Sequence, residues 1–466
     1  MVYAIARPAE KINNDAYLRR IWALLPRTAT TSMTAHDASP PLSPTPVMTR
    51  GLDGQVFADA QQTDPRAMGW MQGQPVPPDK RIAFADGSNY RFPQFRWSFA
   101  HTRELVPTRT VARASQAGAA FTQALNTALW QTNFQPMTGG PALRWADMLA
   151  ATYTDAIVVL HQGRVVLEHY NGVMHPQALH VMMSVSKSVA GLLASEFAHQ
   201  GLLDPQALVT HYLPEMQASG FAGATVRQVM DMTTGIDYSE NYADPQATIW
   251  NHMYAGGMLA RPPGAQGPDN FFSYLPTVGA RGTHGAEFTY RTVNTDVLGW
   301  ILQRVAGCNF SALVSKSLWQ PMGAELDACY TVDSCGVEFV GGGLNASVRD
   351  MARLGELLRQ GGRVGDRQVI ALAVVEDLHR GADPARFVAN GPPTLPGWSY
   401  RNMWWISHNA NRAIMARGVH GQNIYIDPRA EMVIARFASH PVAANAANDI
   451  YTLPAYQAMA DALVRG

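Results

Sequence analysis

Two groups of strand-like sequence stand at opposite ends of a helix-rich middle, and this arrangement limits the folds open to the chain. The run AIVVLHQGRVVLEHY reads as two strands, over 156–160 and 164–170, joined by a tight turn at Gln162-Gly163. Near the other end, NIYIDP and EMVIARFAS read as two more strands separated by a Pro-Arg-Ala turn. Between them the apolar spacing is helical. Ser184 opens a helix whose Val185, Val189, Leu192, Leu193, Ala194 and Phe197 form one broad face. Further helices are predicted over 225–232, over 295–306 (stopped by Gly307) and over 347–360 (stopped by Gly361-Gly362). A last helix is predicted over 453–464, and 112–130 also carries helical spacing. Strands from both ends can share one antiparallel sheet, with the helical middle packed beside it as a second domain. A site would then lie in the cleft between them.

Upstream of this body, which begins near Val106, the pattern is weaker. Residues 1 to 25 are compatible with a short helix ending before Pro26. The Thr-, Ser- and Pro-rich stretch from Arg27 to Arg50 has too little apolar surface to order itself and reads as a linker or surface strap. Residues 51–110, rich in Gly, Pro and aromatics, read as irregular wrapping. The expected division is an N-terminal extension over 1–60, a sheet domain from 61–183 and 400–466, and a mainly helical domain over 184–399.

Several function classes are disfavoured. The 466 residues carry no formal net charge, so nothing favours nucleic acid or an anionic membrane surface. The three cysteines (Cys308, Cys329 and Cys335) are too few and wrongly spaced for a disulfide framework or a zinc site, although Cys329 and Cys335 could pair. No run is long and apolar enough for a membrane helix, and the N-terminus lacks a signal-peptide pattern, so a cytoplasmic protein is expected. There is no Gly-x-Ser-x-Gly elbow, His-Glu-x-x-His, P-loop or dinucleotide fingerprint, and the histidines are not at ligand spacing. No cofactor or metal is called for.

Against that background one residue stands out. Lys187 is one of four lysines, against 32 arginines, in Ser184-Val185-Ser186-Lys187 at the head of the apolar helix. Burial can make an ammonium give up its proton, whereas a guanidinium keeps it. Ser184 is therefore a candidate nucleophile with Lys187 as its base or proton relay. Taken alone, the tetrapeptide reads better as a capping serine and a snorkelling lysine, and its context shifts the balance.

Two further elements carry chemistry. Tyr290 lies in FTYRTVNTD at a loop-to-helix junction, where a phenol beside an ammonium would have a lowered pKa and act as a base. A buried core tyrosine is the other reading. Gly418-Val419-His420-Gly421-Gln422 precedes a strand, and its glycines let backbone approach a ligand closely. An exposed strand edge there can offer an N–H to a developing oxyanion, with the N–H of Ser184 at its helix N-terminus as the partner donor. A glycine-rich strand entry with a solvated histidine is the alternative.

In combination, Ser-x-x-Lys after a hairpin, a tyrosine before a mid-chain helix and a Gly-rich last strand resemble the serine β-lactamase and penicillin-binding-protein superfamily. SVSKS, DYSENYADP, YRTVNTDVLGW, GGGLNASVRDMARLGELLRQGG, GVHGQNIYIDP and FRWSFAHTRELVPT are similar to its 6-aminohexanoate-dimer hydrolase branch and related carboxylesterases, over roughly residues 66–466. The resemblance implies an α/β fold (α+β), β-lactamase-like, with an antiparallel sheet flanked by helices and a mostly helical second domain. It also implies an acyl-enzyme on Ser184, a proton shared with Lys187 one turn on, Tyr290 as general base, and an oxyanion hole from the N–H groups of Ser184 and Val419. Tyr242 matches a tyrosine that contacts the substrate amide, and Asn294 falls among the candidate substrate-binding residues. A homodimer is one arrangement the resemblance allows.

Two departures bear on the substrate. The Tyr-x-Asn of class C β-lactamases has Thr292 in the Asn position, and Ala416-Arg417-Gly418 stands where Lys-Thr-Gly is found. Arg417 or His420 is expected to supply the missing charge. These losses favour esters or linear amides, of the 6-aminohexanoate-oligomer type, as small-molecule substrates. A β-lactamase or D-alanyl peptidase, and a catalytically silent binding protein on the same scaffold, are the alternatives.

Overall fold

The computed structural model describes residues 49–50, 56–116 and 118–465. The expectations for residues 1–25 and for most of 27–50 fall outside them. The predicted hairpin is present, β1 (Thr154–His161) pairing with β2 (Arg164–Tyr170). Gln162 and Gly163 between them have φ of 50° and 75°. Two successive positive φ values make a turn whose twist matches that of the flanking strands.

Five strands from the far end complete the sheet: β3 (Ser399–Arg401), β4 (Trp404–Ile406), β5 (Ile414–Gly418), β6 (Gln422–Asp427) and β7 (Met432–Ala438). Their order is β3-β4-β5-β6-β7-β1-β2, antiparallel throughout, with β7 joining the two ends of the chain through pairs such as Ile434↔Val159. Strands β5, β6 and β7 are buried along their whole lengths. Such strands need cover on both faces, which explains their near-continuous apolar sequence.

Helices supply that cover. α1 spans Val185–His199, α2 Val226–Met230, α3 Val293–Ala306, α4 Val348–Arg359 and α5 Ala446–Arg465. Thr225 and Gln228 form a reciprocal capping box on α2, and α3 stops at Gly307, whose φ is 65°. α4 lies so close to the sheet that a Cβ on Gly355 would sit 2.5 Å from a methyl of Val433. α5 begins earlier than its spacing predicts and continues through Pro454.

One expectation fails here, and one element was not foreseen. Among the described residues of 112–130 there is no long helix, only the 3₁₀ turn Thr127–Gln131. The backbone before it instead pairs with the outer edge of β2 (Ala124 N–H to Val165 O, 2.8 Å; Val165 N–H to Thr122 O, 2.9 Å). Covering an exposed sheet edge overrides the local helical spacing. A second sheet, unforeseen, is formed by Thr108–Val111, Ala328–Thr331, Leu344–Ala346 and His180–Val181 in that order. Its strands are too short to show a period in sequence. All three cysteines are free, with Cys329 buried in this sheet and Cys335 exposed. Among the described residues no single helix is long and apolar enough to cross a membrane.

Candidate active site

The second sheet delivers the chain to α1. After the strand His180–Val181 the backbone turns through Met183, whose φ is 48°. That left-handed conformation costs a non-glycine residue roughly 1–2 kcal/mol. It swings Ser184 to the N-cap of α1. Lys187, one turn on, is 1% exposed. Its Nζ donates to Ser184 Oγ at 2.7 Å and also to Gly341 O. Burial pushes the Lys187 ammonium down to about 8, against the opposing pull of Glu240 and Asp296. The other two serines of SVSKS point elsewhere: Ser186 Oγ donates to Met183 O at 2.6 Å and Ser188 Oγ to Met403 O at 2.7 Å.

Tyr290 joins this pair. Lys187 Nζ lies 5.3 Å from the centre of its ring, which stacks on Trp405 at 5.5 Å. The direction of its pKa differs from expectation. Burial, reinforced by the Glu240 carboxylate, pushes the phenol well up, while a hydrogen bond with Ser184 and the charge of Arg417 act less strongly the other way. The neighbouring ammonium is therefore not enough to make Tyr290 the base of the resting site. Lys187 is the group closer to losing a proton near neutral pH.

β5 brings the glycine-rich segment alongside. A Cβ on Gly418 would lie 2.7 Å from Met182 O and 3.0 Å from Ser184 N, so only glycine allows this approach. Val419 follows directly, in a short turn. Gly418→Ala is expected to reduce turnover by roughly 10²-fold or more, with circular dichroism unchanged; a fully active variant would show that this contact does not matter.

Glu240 was not singled out by sequence reasoning. Its carboxylate accepts from Thr292 N–H at 2.6 Å, Thr292 Oγ1 at 2.7 Å and the Tyr242 hydroxyl at 2.7 Å. It thereby ties the loop carrying Tyr242 to the N-terminus of α3, and its field reaches Lys187 and Tyr290. Asp296 was also missed. It accepts from Gly341 N–H at 3.0 Å and lies 3.1 Å from His252 Nε2, fixing the carbonyl that holds Lys187. Both belong to motifs quoted above, but nothing in spacing distinguishes a buried carboxylate from a solvated one.

Glu240→Gln keeps the shape and removes the charge. The carboxylate favours the ammonium form of Lys187, so the variant is expected to move the rising limb of kcat/KM below pH 8. A merely structural role would leave that midpoint in place.

Three expected substrate contacts are corrected. His420 is 3% exposed, at φ 63°, with Nδ1 2.7 Å from His440 O and its ring 4.8 Å from Phe95 and 5.4 Å from Phe99. Burial pushes it down to about 4, so it is neutral and supplies no charge. Phe95 and Phe99 belong to the N-terminal wrapping segment, which packs here as irregular structure with short helical turns. Arg417 has Nη2 at 2.6 and 2.8 Å from the Asp449 carboxylate and packs over Trp405, so its charge is already matched from within, while its buried Nη1 has no hydrogen-bond partner among the described residues. Asn294 is fully buried, accepts from Thr234 Oγ1 at 2.7 Å and serves as a core strut.

Comparison with known proteins bears on the family and the fold. The chain is 35% identical over 355 residues to the 6-aminohexanoate-dimer hydrolase of Paenarthrobacter ureafaciens, an alignment covering 75% of this chain and 86% of that protein. A solved Bacillus anthracis structure described as a 6-aminohexanoate-dimer hydrolase superposes with a TM-score of 0.75 at 30% identity, covering 82% of this chain and 97% of that one. EstCE1, a hydrolase with promiscuous acyltransferase activity, shares the fold at a TM-score of 0.51 and 17% identity, covering 66% of this chain and 94% of its own. The sequence profile of the Beta-lactamase family matches residues 146–457. The chain belongs to the β-lactamase family.

Proposed function

We propose that the protein is a serine hydrolase cleaving linear amides and carboxylic esters through an acyl-enzyme on Ser184. The observation that carries this reading is the 2.7 Å contact between Ser184 Oγ and a buried lysine whose pKa is lowered to about 8. Neutral Lys187 takes the Ser184 proton as Oγ attacks the carbonyl carbon, giving a tetrahedral oxyanion and an ammonium. The N–H groups of Ser184 and Val419 receive the oxyanion. As the C–N or C–O bond breaks, the Tyr290 hydroxyl gives its proton to the leaving atom and regains one from Lys187. Water then repeats the sequence on the acyl-serine, releasing the acid and restoring the serine.

Substrate choice follows from what the site lacks. The Thr292 hydroxyl is committed to Glu240 and the Arg417 charge to Asp449. Thr292 therefore has no proton left for the acylamino group of a β-lactam, and the Arg417 charge is already balanced where such a drug would place its carboxylate, although Nη1 keeps a donor. Linear amides of the 6-aminohexanoate type and short-chain esters fit better. The test is turnover of p-nitrophenyl esters, the linear aminohexanoate dimer and nitrocefin, with nitrocefin expected to be the poorest. Nitrocefin turnover exceeding both other classes would contradict the assignment.

Tyr242 stands within this reading as the contact for the leaving nitrogen, its hydroxyl donating to Glu240 and accepting the N–H of the substrate amide on its oxygen. Tyr242→Phe is expected to slow amide hydrolysis roughly tenfold more than ester hydrolysis, on the scale of one lost hydrogen bond. Equal losses on both substrates would remove that role.

A further inference from the structure

The turn that carries Val419 is fastened from behind by one side chain. β5 and β6 meet at the pair Gly418↔Gln422, and the residues Val419–Gly421 between them form the turn. On its other edge β6 pairs with β7 only as far as Asn423↔Arg436. β7 itself runs on to Ala438, where its register against β1 shifts. A buried strand position beyond the end of its neighbour still has an N–H and a C=O to satisfy.

Gln422 satisfies them with its side chain, which is fully buried. Its Oε1 accepts the Ala438 N–H at 3.0 Å, and its Nε2 donates to Ala438 O at 2.6 Å. The side-chain amide thus stands in for a peptide unit and adds one more rung between β6 and β7. The second hydrogen on Nε2 goes to Val419 O at 3.2 Å. Two carbonyls and one N–H as partners fix which end of the amide is nitrogen. The position needs two donors and one acceptor on a single group. Glutamate only accepts, and methionine, of similar length, donates nothing.

The rest of the turn is anchored too. Gly421 O accepts from Arg436 Nη1 at 2.9 Å and from Asn423 Nδ2 at 3.2 Å. On the opposite side Gly418 lies against Ser184 N. Gln422 is the side chain that reaches Val419 itself, and it ties that residue to an interior strand of the sheet.

We propose that Gln422 is a positioning residue for oxyanion stabilisation, its amide locking the Val419 carbonyl to β7 so that the Val419 N–H stays aimed at the place where the oxyanion forms. This role rests on the function proposed above, and Gln422 acts through Val419 rather than on the substrate. Donors fixed in advance stabilise charge that develops only in the transition state, so a loosened turn lowers kcat rather than raising KM.

The test compares a p-nitrophenyl ester with its thionoester, in which sulfur replaces the carbonyl oxygen. Gln422→Met is expected to lower kcat on the ester by roughly tenfold or more, as for an oxyanion donor misplaced rather than removed, with KM within about twofold. Sulfur is larger and a weaker acceptor, so the thionoester gains little from the N–H groups in the wild type and should lose little in the variant. The ester-to-thionoester ratio should therefore fall by about the same tenfold factor. Gln422→Glu keeps the length and the bond from Ala438 N–H, loses both donors, and should behave alike. Because the ratio is taken on the same folded molecules, partial misfolding of a variant does not alter it. Gln422 shares no hydrogen bond with Ser184 or Lys187 among the described residues, so the pH midpoint near 8 should stay in place. A ratio equal to that of the wild type in both variants overturns the proposal, as does a loss confined to KM or a displaced pH midpoint. A wild type that turns over neither substrate removes the hydrolase reading, and the role of Gln422 with it.

Discussion

Arginine in place of Lys187 is expected to lower kcat/KM by roughly 10⁴-fold, the scale seen when a triad member that serves proton transfer is removed. The substitution keeps a positive charge one turn from Ser184 but removes a proton that can leave, because a guanidinium stays charged at any working pH. Lys187→Met is the companion variant, removing the charge and leaving the Gly341 carbonyl without the donor it has now. If proton acceptance is what the site needs, both variants are nearly inert. An arginine variant that keeps most of its activity would show that a fixed cation suffices, and Lys187 would lose its role as base.

The wild-type pH profile gives the same claim a sign. The Lys187 pKa is lowered to about 8, and the competent form is the neutral amine. kcat/KM should therefore rise with pH, reach half its plateau near 8, and at pH 6 stand at about one-hundredth of it. Burial holds Tyr290 far above its usual value, so the phenol stays protonated across this range and adds no falling limb. A flat profile from pH 6 to 9 would contradict the assignment.

Ser184→Ala is expected to reduce turnover by roughly 10⁴- to 10⁶-fold while changing stability by no more than about 1 kcal/mol. The small structural cost follows from the contacts. Lys187 keeps its hydrogen bond to Gly341 O, and Ser184 makes no side-chain cap bond to α1. No neighbouring hydroxyl can substitute, because Ser186 and Ser188 are engaged with the Met183 and Met403 carbonyls. Residual activity of more than a few per cent, at unchanged melting temperature, would point to a different nucleophile.

What sequence made legible and what it hid divide along physical lines. The Gln162-Gly163 hairpin, the apolar strands at both ends and the glycine stop after α3 are local signals, and the structure contains them. Ser184, Lys187 and Tyr290 were visible because each sits at a junction where a helix starts. Their convergence was legible only through the resemblance, since no periodicity connects residues so far apart.

The errors at His420, Arg417 and Asn294 share one cause. A position next to a motif does not show which way a side chain points. The positive φ at His420 turns its ring into the aromatic cluster, Asp449 claims Arg417 from a helix more than 30 positions on, and Thr234 claims Asn294. Glu240 and Asp296 were missed for the complementary reason. Their importance lies in backbone amides and hydroxyls brought to them by folding, and the sequence offers no local trace of such partners.

The account is tested most directly by trapping the covalent intermediate. The protein is treated with a fluorophosphonate at pH 8, its intact mass is measured, and the modified peptide is sequenced. One adduct per chain is expected, on Ser184, forming at least about 10³-fold more slowly in Lys187→Met, as expected when an activating base is lost. Label on another residue, or none on folded protein that still turns over esters, would contradict the central claim that this serine is activated by its buried lysine.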